Sequence, residues 1–211
     1  MTPSKPRHSN SPKHLRGRND QGEMSAAAGS VRIIAGKWRG TRLPVAAVEG
    51  LRPSSDRVRE TLFNWLQFEI QGLRVLDAFA GTGALGFEAA SRGAADVLLI
   101  ESDPRACAAL QASSARLGAE RVAVQQADVL SWLSAHPEQQ FDLAFVDPPF
   151  TAGLHGRTLL ALLAHMSSNS WIYVELPVTD AVPSLPGWVC HREGTTRDVR
   201  YVLFKRLGSS A

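Results

Sequence analysis

The sequence predicts an α/β fold in which a mostly parallel sheet is covered on both faces by helices. Three observations carry that expectation. From Leu73 onward, short apolar runs alternate with helical stretches. A glycine-rich turn follows the first of those runs and opens a helix. Near the carboxyl end the alternation gives way to two strand-like segments around Gly194-Thr195-Thr196. Regular β-α-β alternation requires crossover connections, so the strands run parallel and both sheet faces are buried.

Each element follows from its own residues. Residues 1–30 are rich in Ser, Pro, Asn, Gly and Ala without periodicity, and read as a disordered basic tail. Residues 31–70 form an N-terminal extension. In it, Val31–Gly40 and Thr41–Val45 read as two short strands around glycine-containing turns. Ser54-Ser55-Asp56 then caps a helix in which Val58, Leu62, Trp65 and Leu66 recur at helical spacing. Residues 71–211 hold the main domain. Its strands are expected at Leu73–Leu76, Val97–Ile100, Val122–Val124, Leu143–Val146 and Trp171–Val174. Its helices are expected at Ala84–Arg92, Pro104–Leu117, Val129–Ala135 and Gly156–Met166. Trp188–Arg192 and Arg200–Phe204 form an antiparallel hairpin that closes the sheet edge.

Composition narrows the class of protein. A chain of 211 residues, 44% hydrophobic, fits one domain with a short appendage. Cys107 and Cys190 lack the spacing of a zinc site or a disulfide framework, which predicts a reducing, cytoplasmic setting and no metal. No apolar run reaches the ~18 residues of a membrane span. Residues 1–60 carry 12 of the 23 Lys/Arg and 5 of the 20 Asp/Glu, or +7, which leaves −4 for the rest. That asymmetry predicts a basic arm or face that meets a polyanion. For residues 1–30 a solubilising tail is an equal alternative. The six histidines are scattered, and His155 reads as a solvated loop residue that could instead contact RNA.

The glycine turn, Gly81-Thr82-Gly83-Ala84-Leu85-Gly86, matches a pattern shared by nicotinamide, flavin and S-adenosylmethionine sites. Asp77, four residues before it, separates them. A carboxylate there would repel a pyrophosphate but attracts the ammonium and sulfonium of S-adenosylmethionine. Phe79 lies between the two features, and Gly81 opens the turn. Glu101, about 20 residues beyond the glycines, is placed to accept ribose hydroxyls. Asp128 follows the third strand as an acceptor for the adenine amino group, as a helix N-cap, or as both. Asp103 is expected to cap the helix that opens at Pro104. A side chain at Gly83 is expected to fill cofactor space without unfolding the chain.

Asp147-Pro148-Pro149-Phe150 follows the fourth strand, beyond whose carboxyl end ligands of open α/β sheets bind. The lone pair of an exocyclic amine is delocalised into its ring. Hydrogen bonds from its N–H groups to the Asp147 carboxylate and the Pro148 carbonyl would localise that pair. The two prolines fix the backbone and remove donors, and Phe150 can stack on the base, worth ~1–3 kcal/mol.

With these residues in place, the chain closely resembles the RsmD family of 16S rRNA guanine-N2 methyltransferases, from about Val31 to Arg206. Its most specific segments are Arg32–Gly40, Leu51-Arg52-Pro53 and Asp56–Leu66, joined by Asp77–Gly86 and Asp147–Phe150. The resemblance implies a Rossmann-like class I methyltransferase fold. That fold has a mostly parallel seven-stranded sheet, a C-terminal antiparallel hairpin and a small N-terminal β-hairpin extension. It implies transfer from S-adenosyl-L-methionine to N2 of a guanine, position 966 in the family's usual name. The partner implied is 16S rRNA in the small subunit or a late assembly intermediate, met by a monomer. It carries cofactor roles to Asp77, Phe79, Gly81, Gly83, Glu101 and Asp128, and catalytic roles to Asp147, Pro148 and Phe150. It carries substrate contact to Arg39, Arg42, Arg52, Arg57 and Pro149, although Arg57 could instead pair with Glu60 or Glu101. The loop 151–155 carries less charge than an RNA contact there would call for. The rivals are a DNA adenine-N6 methyltransferase, for whose separate recognition domain the chain has no room, and a non-catalytic RNA-binding relative, against which the retained Asp77, Glu101 and Asp147 speak. An NAD oxidoreductase is disfavoured by Asp77.

Overall fold

A computed structural model describes residues 1, 2, 29–45 and 55–208. Arg52 and most of the tail expected over residues 1–30 therefore lie outside the described residues.

Two strands, β1 (Ser30–Arg32) and β2 (Arg42–Pro44), pair antiparallel with Val31 opposite Leu43. Helix α1 (Asp56–Trp65) starts at Ser55, whose side chain accepts the Val58 N–H. The main sheet then runs through β3 (Arg74–Asp77), α2 (Ala84–Ser91), β4 (Asp96–Glu101), α3 (Pro104–Leu117), β5 (Val122–Gln126), α4 (Val129–Ala135), β6 (Phe141–Val146), α5 (His155–Leu162) and β7 (Met166–Pro177). The hairpin β8 (Trp188–Thr195) and β9 (Val199–Arg206) completes it. The strand order is β5-β4-β3-β6-β7-β9-β8, parallel through β7 and antiparallel beyond. The order reverses between β3 and β6, so a crevice opens above their carboxyl ends.

Strand pleating divides the core in two. Along β6, Leu143 and Phe145 face one cluster and Ala144 and Val146 the other. The first cluster also holds Ile33 and Leu43 of the small hairpin, Leu62 and Phe63 of α1, and Leu66 just beyond it. The described part of the N-terminal extension thus shares a core with the main sheet. Helices α4 and α5 contribute Leu133, Leu159 and Leu162 to the second cluster.

Two boundaries depart from the sequence reading. The helix expected through Met166 ends at Leu162 in a 3-10 turn, and Met166 instead pairs with Phe141 as the buried first residue of β7. Gly194 and Thr195 belong to β8, and the turn shifts to Thr196, whose Oγ1 accepts the Val199 N–H. Gly194 pairs with Tyr201 across the hairpin, and a glycine leaves room for the Tyr201 ring, 2.3 Å from where a Cβ would be. The periodicity of α1 also gave no sign that Arg59 lies on its buried face, with no exposed surface.

Candidate active site

The carboxyl edge of the sheet gathers the acidic residues singled out above. Asp77 ends β3 and Glu101 ends β4, while Asp147 is the first residue beyond β6. Because Phe145 pairs with Tyr173 and Val146 with Val174, Asp147 follows in register with Glu175 on β7.

The glycine turn is built by those carboxylates. Gly81 and Gly83 hold φ values of +52° and +74°, which side chains rarely adopt. Gly83 caps α2 without a side chain to offer. Asp77 fills that gap from the neighbouring strand: its Oδ2 accepts the Gly86 N–H at 2.9 Å. Glu101 accepts the Gly81 N–H at 2.8 Å through one oxygen and the Asp103 N–H at 2.8 Å through the other. Asp77 is 3% exposed, and burial pushes its carboxyl up to about 7; the Gly86 N–H opposes the rise and the Glu101 charge adds to it. Gly86 serves close packing, since a Cβ there would meet Leu99 at 2.2 Å.

Gly83 is corrected. A Cβ at this position would meet Phe87 at 2.6 Å and Leu110 at 2.7 Å, both buried core side chains. A substitution there crowds the packing of α2 against α3 and adds the strain of a positive φ, so its cost falls on stability as well as on the turn.

A cavity of about 240 Å³ opens beside the turn, lined among others by Phe79, Glu101, Ser102, Asp128, Pro149 and Leu154. Three of the expected cofactor residues thus meet one residue of the Asp-Pro-Pro-Phe motif. Asp77, Gly81 and Gly83 are not among the lining residues. Asp128 is the N-cap of α4 and accepts the Ser131 N–H at 2.9 Å, which holds its carboxyl below the usual range. It is exposed and keeps further lone pairs. Asp103 caps α3 as expected. Ser102 went unremarked in the sequence because hydroxyls after strands are common in turns.

The motif itself leaves the sheet as a fixed turn. Pro148 is buried, Pro149 faces the cavity, and Phe150 is 40% exposed at the start of a 3-10 turn. The Pro149 carbonyl accepts the Ala152 N–H at 2.9 Å, so of the two proline carbonyls Pro148 is the one outside that turn. His155 is not a solvated loop residue. It opens α5 half-buried, and its Nε2 donates to the Glu175 carbonyl at 2.9 Å. Burial lowers its pKa, and its ring centre lies 6.0 Å from that of Phe150. Tyr173 and Glu175, both buried, join through the Tyr173 hydroxyl at 2.9 Å. Glu175 is not among the residues the sequence predicts for the site; a carboxylate within an apolar strand is its local signal, and the register with Asp147 emerges only from the sheet.

The basic residues stand elsewhere. Arg39 lines a second cavity of about 270 Å³ with Arg32, Asp56 and Glu60. Arg42 is exposed and donates to Ser30 Oγ, while the Arg116 guanidinium donates to the Arg42 carbonyl. Arg57 is exposed on α1. Lys37 and Trp38 dock on Ser91, the last residue of α2, about 10 Å along that helix from Ala84. The structure therefore does not bring Arg39 or Arg42 to the cavity that Glu101 and Asp128 line. Among the described residues no cluster of three or more His, Cys, Asp or Glu could hold a metal, and no helix is long and apolar enough to cross a membrane.

Comparison with known proteins identifies the family. The family model described as Conserved hypothetical protein 95 matches residues 31–205. Ribosomal RNA small subunit methyltransferase D of Escherichia coli strain K12 is 43% identical over 188 residues, 86% of this chain and 92% of that protein. The protein of the same name from Haemophilus influenzae is 41% identical over 187 residues, 85% of this chain and 95% of its own. A solved structure of a putative methyltransferase, yhhF, from Escherichia coli superposes with a TM-score of 0.77 at 43% identity, covering 86% of this chain and all of that one. Fold, site and matches together place the chain in the Conserved hypothetical protein 95 family, the RsmD family of class I methyltransferases.

Proposed function

We propose that this methyltransferase uses S-adenosylmethionine to methylate the exocyclic N2 of a guanine in 16S rRNA, within the small ribosomal subunit or a late assembly intermediate. The observation that carries the reading is the junction of the two motifs: Pro149 of Asp147-Pro148-Pro149-Phe150 lines the same cavity as Phe79, Glu101 and Asp128. The names of the relatives favour ribosomal RNA over DNA as the acceptor. When bound, the cofactor supplies an electrophilic methyl group on a sulfonium.

The residues present fit that group. Asp128 accepts the adenine amino group with lone pairs not used by Ser131. Glu101 accepts ribose hydroxyls while its remaining lone pairs hold the glycine turn. Asp77 keeps a negative potential under a cationic ligand and acts through α2 rather than by lining the cavity. Gly81 and Gly83 give the turn its path. Asp147 and the Pro148 carbonyl accept the two N–H groups of the target amine and turn its lone pair toward the methyl group. Phe150, exposed beside the motif, stacks on the base. Residues 31–70 serve as the RNA-facing extension of the catalytic domain 71–211, with Arg39, Arg42 and Arg57 meeting phosphates.

The target nitrogen gains positive character as the methyl group arrives, so the Asp147 charge stabilises the transition state more than the ground state. Asp147→Ala should lower the single-turnover rate by ~10²-fold or more at saturating cofactor and RNA, with little change in either affinity. Asp147→Asn keeps an acceptor but loses the charge, and should fall between. An Asp147→Ala rate within a few-fold of wild type would reduce the motif to a strand-exit turn.

A further inference from the structure

The basic loop of the extension is fastened to the helix that begins at the glycine turn, and the fastening centres on Glu88. This side chain on α2 has no exposed surface. Its carboxylate accepts the Ile34 N–H at 2.6 Å and the Ala35 N–H at 3.0 Å, from residues more than fifty positions earlier in the chain. Arg92 donates to it at 2.7 Å, and the Arg59 guanidinium stands 3.9 Å away. Arg59 also donates to the Arg32 carbonyl and to Asp56. One turn further along α2, Ser91 donates to the Ala35 carbonyl at 2.6 Å and accepts the Trp38 N–H at 2.9 Å. Its carbonyl accepts the Lys37 N–H, and Gly36 passes so close that a Cβ would lie 1.9 Å from that oxygen.

These bonds hold the loop by its backbone. Ile33 and Leu43 anchor the hairpin in the core, and a buried carboxylate that receives two consecutive amides adds a directional register to the loop between them. Burying that charge and its arginines costs desolvation that an apolar contact would not. What the charge adds is directional bonding, and it places Lys37 and Arg39, both exposed, at a fixed distance from the glycine turn on one rigid helix.

We propose that Glu88 is a positioning residue for the RNA substrate: it pre-sets the Lys37–Arg39 loop on α2, so that phosphate contacts and the methyl-transfer site keep one spacing. The inference rests on the reading of that loop as RNA-facing. A loosened loop must be ordered anew on each binding event. Glu88→Gln therefore raises KM for RNA in inverse proportion to the fraction of loop that stays docked, ~tenfold if a tenth stays docked. The cations remain, so the number of phosphates neutralised does not change and the salt slope of KM stays that of wild type. The rate at saturating RNA and the affinity for S-adenosylhomocysteine stay within threefold.

The experiment is a set of steady-state titrations of 16S rRNA at several salt concentrations, with the folded state of each variant checked by thermal unfolding. If Glu88→Gln does not fold, Ser91→Ala carries the test, because it removes two loop bonds and leaves the buried charges paired. Arg39→Ala serves as comparator: it should raise KM and flatten the salt slope together. An unchanged KM for the folded Glu88 or Ser91 variant, or a loss confined to the saturated rate or to cofactor affinity, overturns the positioning role. An Arg39→Ala variant with wild-type KM and salt slope overturns instead the RNA-facing reading on which it rests.

Discussion

Asp77 ends β3 sealed from solvent, and the hydrogen bond that it accepts from Gly86 does not offset the loss of water. Its carboxyl titrates at about 7 in the folded chain, against an ordinary value of 3.8. The folded state therefore holds a proton that the unfolded state has lost between those two values, so this residue makes stability fall as pH rises through that window and level off above about 7. A cationic ligand nearby reverses the preference and draws the ionised form. Binding of S-adenosylmethionine should release protons near pH 7, and affinity should strengthen by about tenfold between pH 6 and 8 as the competent ionised fraction grows. Calorimetric titrations in two buffers of different ionisation enthalpy measure the protons directly. Asp77→Asn keeps an acceptor for Gly86; it should weaken binding, abolish the proton release and match or exceed wild-type thermal stability at pH 8. Proton uptake by the wild type, or a pH-independent affinity, would remove Asp77 from cofactor binding.

At the scale of elements, Gly83 shows how a correct motif conceals its own mechanics. The turn pattern announced a ligand loop, yet none of residues 81–86 lines the cavity, and Gly83 itself faces Phe87 and Leu110 where α2 meets α3. Gly83→Ala combines a positive φ with an overpacked contact and should destabilise the fold by about 1–3 kcal/mol in urea unfolding. Wild-type stability with cofactor binding lost would return the position to the ligand side. Strands β3, β4 and β6 were legible because largely buried apolar runs carry their own signature, and α3 and α4 because Asp103 and Asp128 cap them. The α5–β7 boundary was not legible, since Met166 pairs with Phe141, a residue whose position no local pattern reveals. Nor was the Glu88 fastening: its amide donors lie across the chain, and a glutamate on a helix reads locally as a solvated face.

In the whole molecule, one helix connects the two halves of the proposed work. Its first turn is secured by Asp77 and its last by the loop of the extension. The cavity with Glu101, Asp128 and Pro149 lies beyond the carboxyl edge of the strands, where an open α/β sheet is expected to bind. The exposed basic residues Arg39, Arg42 and Arg57 give the extension its charge and not the cavity, so a substrate that spans both must be extended and polyanionic. That span is what separates a structured RNA from a free nucleoside. The most direct measurement supplies labelled S-adenosylmethionine with undermethylated small subunits, free 16S rRNA and duplex DNA in parallel, and maps the modified base. The account predicts label on N2 of a single guanine in the ribosomal RNA, with DNA unlabelled. Label on adenine in DNA, or none on the RNA in any of its forms, would contradict it.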